Sequence, residues 1–179
     1  MTAAALIFAF VVAIGTAFYI SPVFVQSGAL EKRRGFGRQT NELMMLSAAI
    51  ESYKTDHGHY PTDPATTEQL KANTPYDYAA YMRASAFLYR CLMHADDDKT
   101  SPNENTSGNK PYLTSEPGMV HTTPDGTTYI LDVNGNSIGY STLKSVHPES
   151  PDGHNMTYDL WSTSGGASQA DLQKWVKNW

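Results

Sequence analysis

The sequence predicts an α+β protein: one long amino-terminal α-helix, half transmembrane and half amphipathic, packed on a small antiparallel β-sheet, with an extra middle helix and a short carboxyl-terminal helix. Three observations predict it. Ala3 to Val25 carries no Asp, Glu, Lys, Arg or His, and such a run spans about 35 Å as a helix, enough for a bilayer's hydrocarbon core. From Gln39 onward Leu43, Leu46, Ile50 and Tyr53 recur at three- and four-residue steps, the period of a helix with one buried face. Beyond Tyr112 the pattern changes to alternation broken by turn residues, the signature of short strands.

Taken in order, residues 1–25 form the apolar helix, 26–57 its amphipathic continuation, and 58–179 a globular domain with a helical and loop insertion at about 64–110. Pro22 lacks a backbone donor and kinks the helix where it leaves the apolar run, and Gly35 and Gly37 mark a weak point further on. On the amphipathic part Glu42, Glu51 and Lys54 fall to the water side. Gly58 supplies a C-cap and Pro61 prevents continuation, so the helix ends in the Tyr60-Pro61 loop. His57 and His59 lie in this loop without a third donor nearby, which favours capping or solvent over a metal.

Tyr76 to Met93 reads as a second helix, with Tyr78, Tyr81, Met82, Ser85, Leu88, Tyr89 and Leu92 as its packing face. Asp96-Asp97-Asp98 and the Ser/Asn/Gly-rich stretch to Lys110 read as a solvated loop; a calcium loop would space its carboxylates at alternate positions. Thr127 to Val133 is a strand with Tyr129, Leu131 and Val133 on one side. Asn134-Gly135 turns it into Asn136 to Thr142, a hairpin. Asp132, Asn134 and Asn136 alternate as in a calcium loop, but Leu143 stands where the closing acid belongs, so turn chemistry explains them better. Thr157 to Ser162 is a third strand, and Gln169 to Lys177 a closing helix whose Leu172, Trp175 and Val176 pack inward.

Composition narrows the function. Charged residues make up 17 % of the 179, with a net charge of -5, against nucleic acid as a partner, which needs a basic face. The single cysteine, Cys91, excludes an internal disulfide and reads as core packing in an apolar helix. No Gly-rich phosphate loop, His-Glu-x-x-His pair or nucleophile elbow occurs, so no enzyme is expected. Lys32, Arg33, Arg34 and Arg38 follow the apolar run, and the positive-inside rule taken literally would leave the carboxyl-terminal domain cytoplasmic. A short basic leader removed ahead of Met1 would reverse that reading.

Four regions in this order resemble the type IV pilin-like family, most closely the major pseudopilin of bacterial type II secretion. They are the apolar helix with Pro22; Ala49 to Thr62, where the helix gives way to the Tyr60-Pro61 loop; Leu131 to Tyr140, similar to the family's Asp-Pro-Trp-Gly-Asn-Pro hairpin around Asn134 and Gly135; and Tyr158 to Ser162 with Trp161, together with Trp179 closing the chain. The resemblance implies a structural subunit held in the inner membrane by one span, with its carboxyl-terminal domain periplasmic or on an extracellular filament. The subunit would associate with its own copies in a helical filament, with other pilins and with subunits of the secretion machine. A prepilin peptidase would remove any leader, and Met1 would then be a methylated mature end. Met1, Leu6, Gly15 and Pro22 would serve assembly in the filament core. The family's mature chain has glutamate at its fifth position, where this chain has Ala5. Calcium is the one cofactor the resemblance offers: Leu160 and Ser162 through their backbone and Asp171 through its carboxylate match the family's loop, while Ser164-Gly165-Gly166 lacks the second carboxylate. Asp171 can equally be an amino-terminal charge on the closing helix. The alternative to a filament subunit is a monomeric membrane-tethered extracytoplasmic binding module that uses the aromatic stretch Tyr76 to Tyr89.

Overall fold

Helical periodicity in 39–53 sets out the core. The computed structural model describes residues 35–93 and 111–179, and in it α1 is helical over 35–57, through Gly35 and Gly37. Leu43, Leu46, Ala49 and Ile50 are buried, none more than 5 % exposed. Gly58, at φ +80°, ends the helix, its N–H donating to the Lys54 carbonyl at 2.8 Å, as a left-handed C-cap does. The predicted apolar helix of 1–25, with Met1, Leu6, Gly15 and Pro22, lies outside the described residues. Among the described residues no helix is long and apolar enough to cross a membrane.

The rest follows as α2 (Tyr78–Leu92), β1 (Val120–Thr122), β2 (Thr128–Ile130), β3 (Gly139–Ser141), α3 (Leu143–Val146), β4 (Asp159–Ser162), a 3-10 helix (Gln169–Lys174) and β5 (Val176–Lys177). The architecture is α+β, with two small antiparallel sheets in place of the single one predicted: β1-β2 and β3-β4-β5. Asp77 caps α2 by accepting from the N–H groups of Ala79 and Ala80, satisfying donors the helix cannot. The buried face of α2 is Tyr81, Ala84, Ser85, Leu88, Cys91 and Leu92. Tyr78, expected on that face, is 54 % exposed, although its hydroxyl lies 3.2 Å from that of Tyr129 in β2.

The predicted hairpin is shorter than its sequence pattern. Leu131 and Ser137 bridge, and the Ile138 N–H donates to the Ile130 carbonyl at 3.1 Å, but the return strand then leaves for β4, with Tyr140 opposite Leu160 and Gly139 opposite Trp161. Two contacts account for the departure. The Ser85 hydroxyl, from α2, accepts from the Ile130 N–H (2.9 Å) and donates to its carbonyl (2.8 Å), taking the group a longer ladder would use. Gly139, for its part, leaves room for Trp161: a Cβ there would collide with the indole. Alternation in 127–133 also fails, because Tyr129 and Ile130 are both buried while Val133 is half-buried; β2 has α2 on one side and core on the other.

The closing segment corrects the predicted α-helix to a six-residue 3-10 turn followed by a strand. Leu172, Trp175 and Val176 fit helical spacing, yet Val176 pairs with Ser162 of β4, and that ladder outweighs the pattern.

Candidate functional site

α1 meets the domain at two chemically different ends. At its start the buried stripe continues back as polar residues: Gln39 and Glu42 are 5 % and 4 % exposed. Gln39 Oε1 accepts from the Ser164 hydroxyl at 3.0 Å. Glu42, placed in water by the sequence reading, is instead buried: Oε1 lies 3.5 Å from Arg38 Nε, and Oε2 has no hydrogen-bond partner. Burial raises its pKa above the ordinary carboxylate range, Arg38 opposes the rise, and Asp132 and Glu116 add to it.

These two side chains face the turn 132–136 and the loop 162–166. Asp132, 2 % exposed, builds the turn: Oδ1 accepts from the N–H groups of Asn134 (2.9 Å) and Asn136 (3.0 Å), and Oδ2 from the Ser162 hydroxyl (2.7 Å). Gly135 sits at φ +81° with its N–H on the Asp132 carbonyl, the left-handed position for which an Asn-Gly pair is suited. The Asn136 amide donates to Thr163 Oγ1 at 2.7 Å. Turn and loop thus form one hydrogen-bonded platform, with Asn134 and Gly135 exposed at its tip.

At the other end the contacts are aromatic. Tyr53 stacks on His57 (4.1 Å between centroids, 18°) and meets His59 and Tyr112 edge-on, while the Tyr112 hydroxyl donates to Asp56 at 2.8 Å. Tyr60 packs on Tyr158, its hydroxyl donates to Glu51, and the Lys54 ammonium lies 5.1 Å from its ring centroid. Pro61 is buried, and its carbonyl accepts from the Tyr140 hydroxyl at 2.8 Å. The Tyr60-Pro61 loop is therefore pinned to both β3 and the segment leading into β4.

The remaining predicted residues gather around β4. Leu160 is buried toward α1, and Trp161 on the opposite face donates from Nε1 to the Tyr81 hydroxyl at 3.0 Å. Trp179 stacks on His154 (4.3 Å, 10°) beneath Lys177. Asp171 forms a capping box with Ser168 and an ion pair with Lys174 at 2.7 Å, which hold its pKa down at about 2. The Ser162 hydroxyl is committed to Asp132. Among the described residues no three His, Cys, Asp or Glu side chains converge as a metal site.

On the outer side of α2 a shallow groove of about 610 Å³ runs between Met82, Arg83 and Phe87 on one wall and Thr66 and the turn 125–128 on the other. Gln39 and Glu42 were the residues sequence reasoning missed, whereas Ser85 was placed on the packing face of its helix and is buried there. The signal for these two was present, since Gln39 sits four residues before Leu43 and Glu42 four residues before Leu46, steps that share a helix face.

No protein-family model matches the chain, and neither a curated protein nor a solved structure shows a significant match to it.

Proposed function

We propose that this chain is a structural subunit of a pilus or pseudopilus filament of the type II secretion kind, acting mechanically in protein export and without catalytic residues. The observation that carries the reading is the two-faced α1. One face is buried against the domain, while the opposite face offers Asn41, Met44, Ala48, Ser52 and Thr55 to solvent, with Met44 65 % exposed. Exposed Glu51 and Lys54 border this surface, which is otherwise uncharged and follows in sequence an uncharged run that contains Ala13, Gly15 and Ala17. Helices leaving lipid for a bundle gain little hydrophobic energy, so close van der Waals packing of such residues must supply cohesion. A membrane pool of monomers then feeds a filament with apolar helices inside and α+β domains outside. Negative-stain microscopy of membranes from overexpressing cells tests this. Fibres are expected for the native chain and none for Leu6→Arg; dispersed monomers in both overturn the proposal.

The groove beside α2 favours the second reading, a tethered binding module. Deleting residues 2–25 separates the two, because a module keeps its ligand binding and a filament subunit loses its role.

A further inference from the structure

Two buried carboxylates, Glu42 and Asp132, feel one another's charge where α1 meets the 132–136 turn, and they are unequally provided for. Asp132 accepts two backbone N–H groups and a hydroxyl. Glu42 has an N–H from Val133 and the Arg38 guanidinium, whose side chain is 58 % exposed, while Oε2 is buried with no partner. Glu116, from the loop ahead of β1, adds a further negative charge. An ionised carboxylate stripped of water needs donors on both oxygens, and a like charge beside it raises the cost. At Glu42 burial favours the proton-bound form.

We propose that Glu42 is a proton-operated latch that seats the first turns of α1 on the 132–136 turn and 162–166 loop. With the proton bound the carboxyl is neutral and the helix start stays docked. Once the proton leaves to solvent, the unpaired oxygen and the charge of Asp132 loosen residues 38–43, while the aliphatic contacts from Leu46 onward hold the rest of the helix. The neutral Gln39–Ser164 hydrogen bond is indifferent to pH and keeps the two surfaces in register. Arg38, on the same helix, opposes the release, and Asp132 and Glu116, on the facing elements, promote it. Because the folded pKa lies above the unfolded one, the linked stabilisation is complete below the unfolded value and is lost as pH rises through the folded value. The inference concerns this contact within one chain and stands whether or not the chain assembles.

The test is a carbon-13 titration of the Glu42 carboxyl in the full chain in detergent micelles, with hydrogen exchange of amides 40–43 corrected for intrinsic rate. Glu42 is expected to titrate above a glutamate in an unstructured peptide. Protection of those amides should fall over the same range, about tenfold for each pH unit between the two midpoints. Glu42→Gln should hold protection constant, and Asp132→Asn should lower the Glu42 midpoint. An ordinary midpoint, or a pH-dependent loss of protection that survives in Glu42→Gln, overturns the latch. Should Glu42→Gln fail to fold, the Asp132→Asn titration decides, and an unmoved midpoint counts against it.

Discussion

The two faces of the β3-β4-β5 sheet are packed on different principles. Side chains alternate along a strand, so Tyr140 and Leu160 point toward Leu46 and Ile50 of α1 and Leu88 of α2, in a largely aliphatic cluster. Gly139 and Trp161 point the other way, where Trp161 stands edge-on to Tyr81 (5.5 Å, 89°) and parallel to Trp175 (6.4 Å, 8°). On that side the rings are tied by direction as well as by contact. Trp161 donates to Tyr81, Trp175 Nε1 donates to the Gly166 carbonyl at 2.9 Å, and the Tyr76 hydroxyl accepts from the Ser137 N–H. An aliphatic cluster holds by volume and gives a little when a side chain changes shape. A keyed aromatic cluster has few alternative arrangements, because moving one ring leaves a buried donor unmet.

Substitutions of equal modesty on the two faces should therefore differ. The largest effect is expected from Gly139→Ala: the added methyl meets a rigid, fully buried indole, and urea unfolding should show a loss of about 3 kcal/mol. Tyr81→Phe removes a single oxygen and strands the Trp161 N–H, for about 2 kcal/mol by the same measurement. Leu46→Met, across the sheet, keeps the volume and should cost no more than about 1 kcal/mol; if it costs as much as Tyr81→Phe, the contrast between the faces is wrong. The smallest effect concerns the edge of the aromatic side, where Asp171 is held by Lys174 and Ser168. Its pKa is depressed to about 2, so its contribution is present above the ordinary carboxylate value and lost as pH falls through about 2. The Ser168 amide resonance should keep its folded position at pH 4 and move only in stronger acid.

Local rules made the centre of each helix legible. Leu43, Leu46 and Ile50 announce a stripe by spacing alone, and Gly58 and Pro61 announce its end. The burial of Gln39 and Glu42 was hidden because their polarity pointed to water, and, Arg38 apart, the groups they meet, Ser164 and the Val133 N–H, lie some ninety residues or more further along. Sheet membership was equally out of reach: nothing near Asn134-Gly135 says that the return strand will part from β2 within a few residues, since Ser85 and Trp161 cause the departure. At Leu172, Trp175 and Val176 one spacing suits either a helix or a turn with a strand after it, and pairing with Ser162 decides. For the site, the Tyr60-Pro61 loop and the Asn134-Gly135 tip could be named from sequence, whereas the burial of Glu42 within reach of the Asp132 charge could not.

Ser85 has a wider consequence. Its hydroxyl accepts from the Ile130 N–H and shares the Ile130 carbonyl with the Ile138 N–H, so for that N–H it does what a neighbouring strand would do. A helix has thereby closed a stretch of open β-edge of the sort that recruits foreign chains into fibrils. Alanine, the better helix former, would fit the same space and reopen it, so this position should resist drift toward alanine in any descendant that must remain soluble in its folded part.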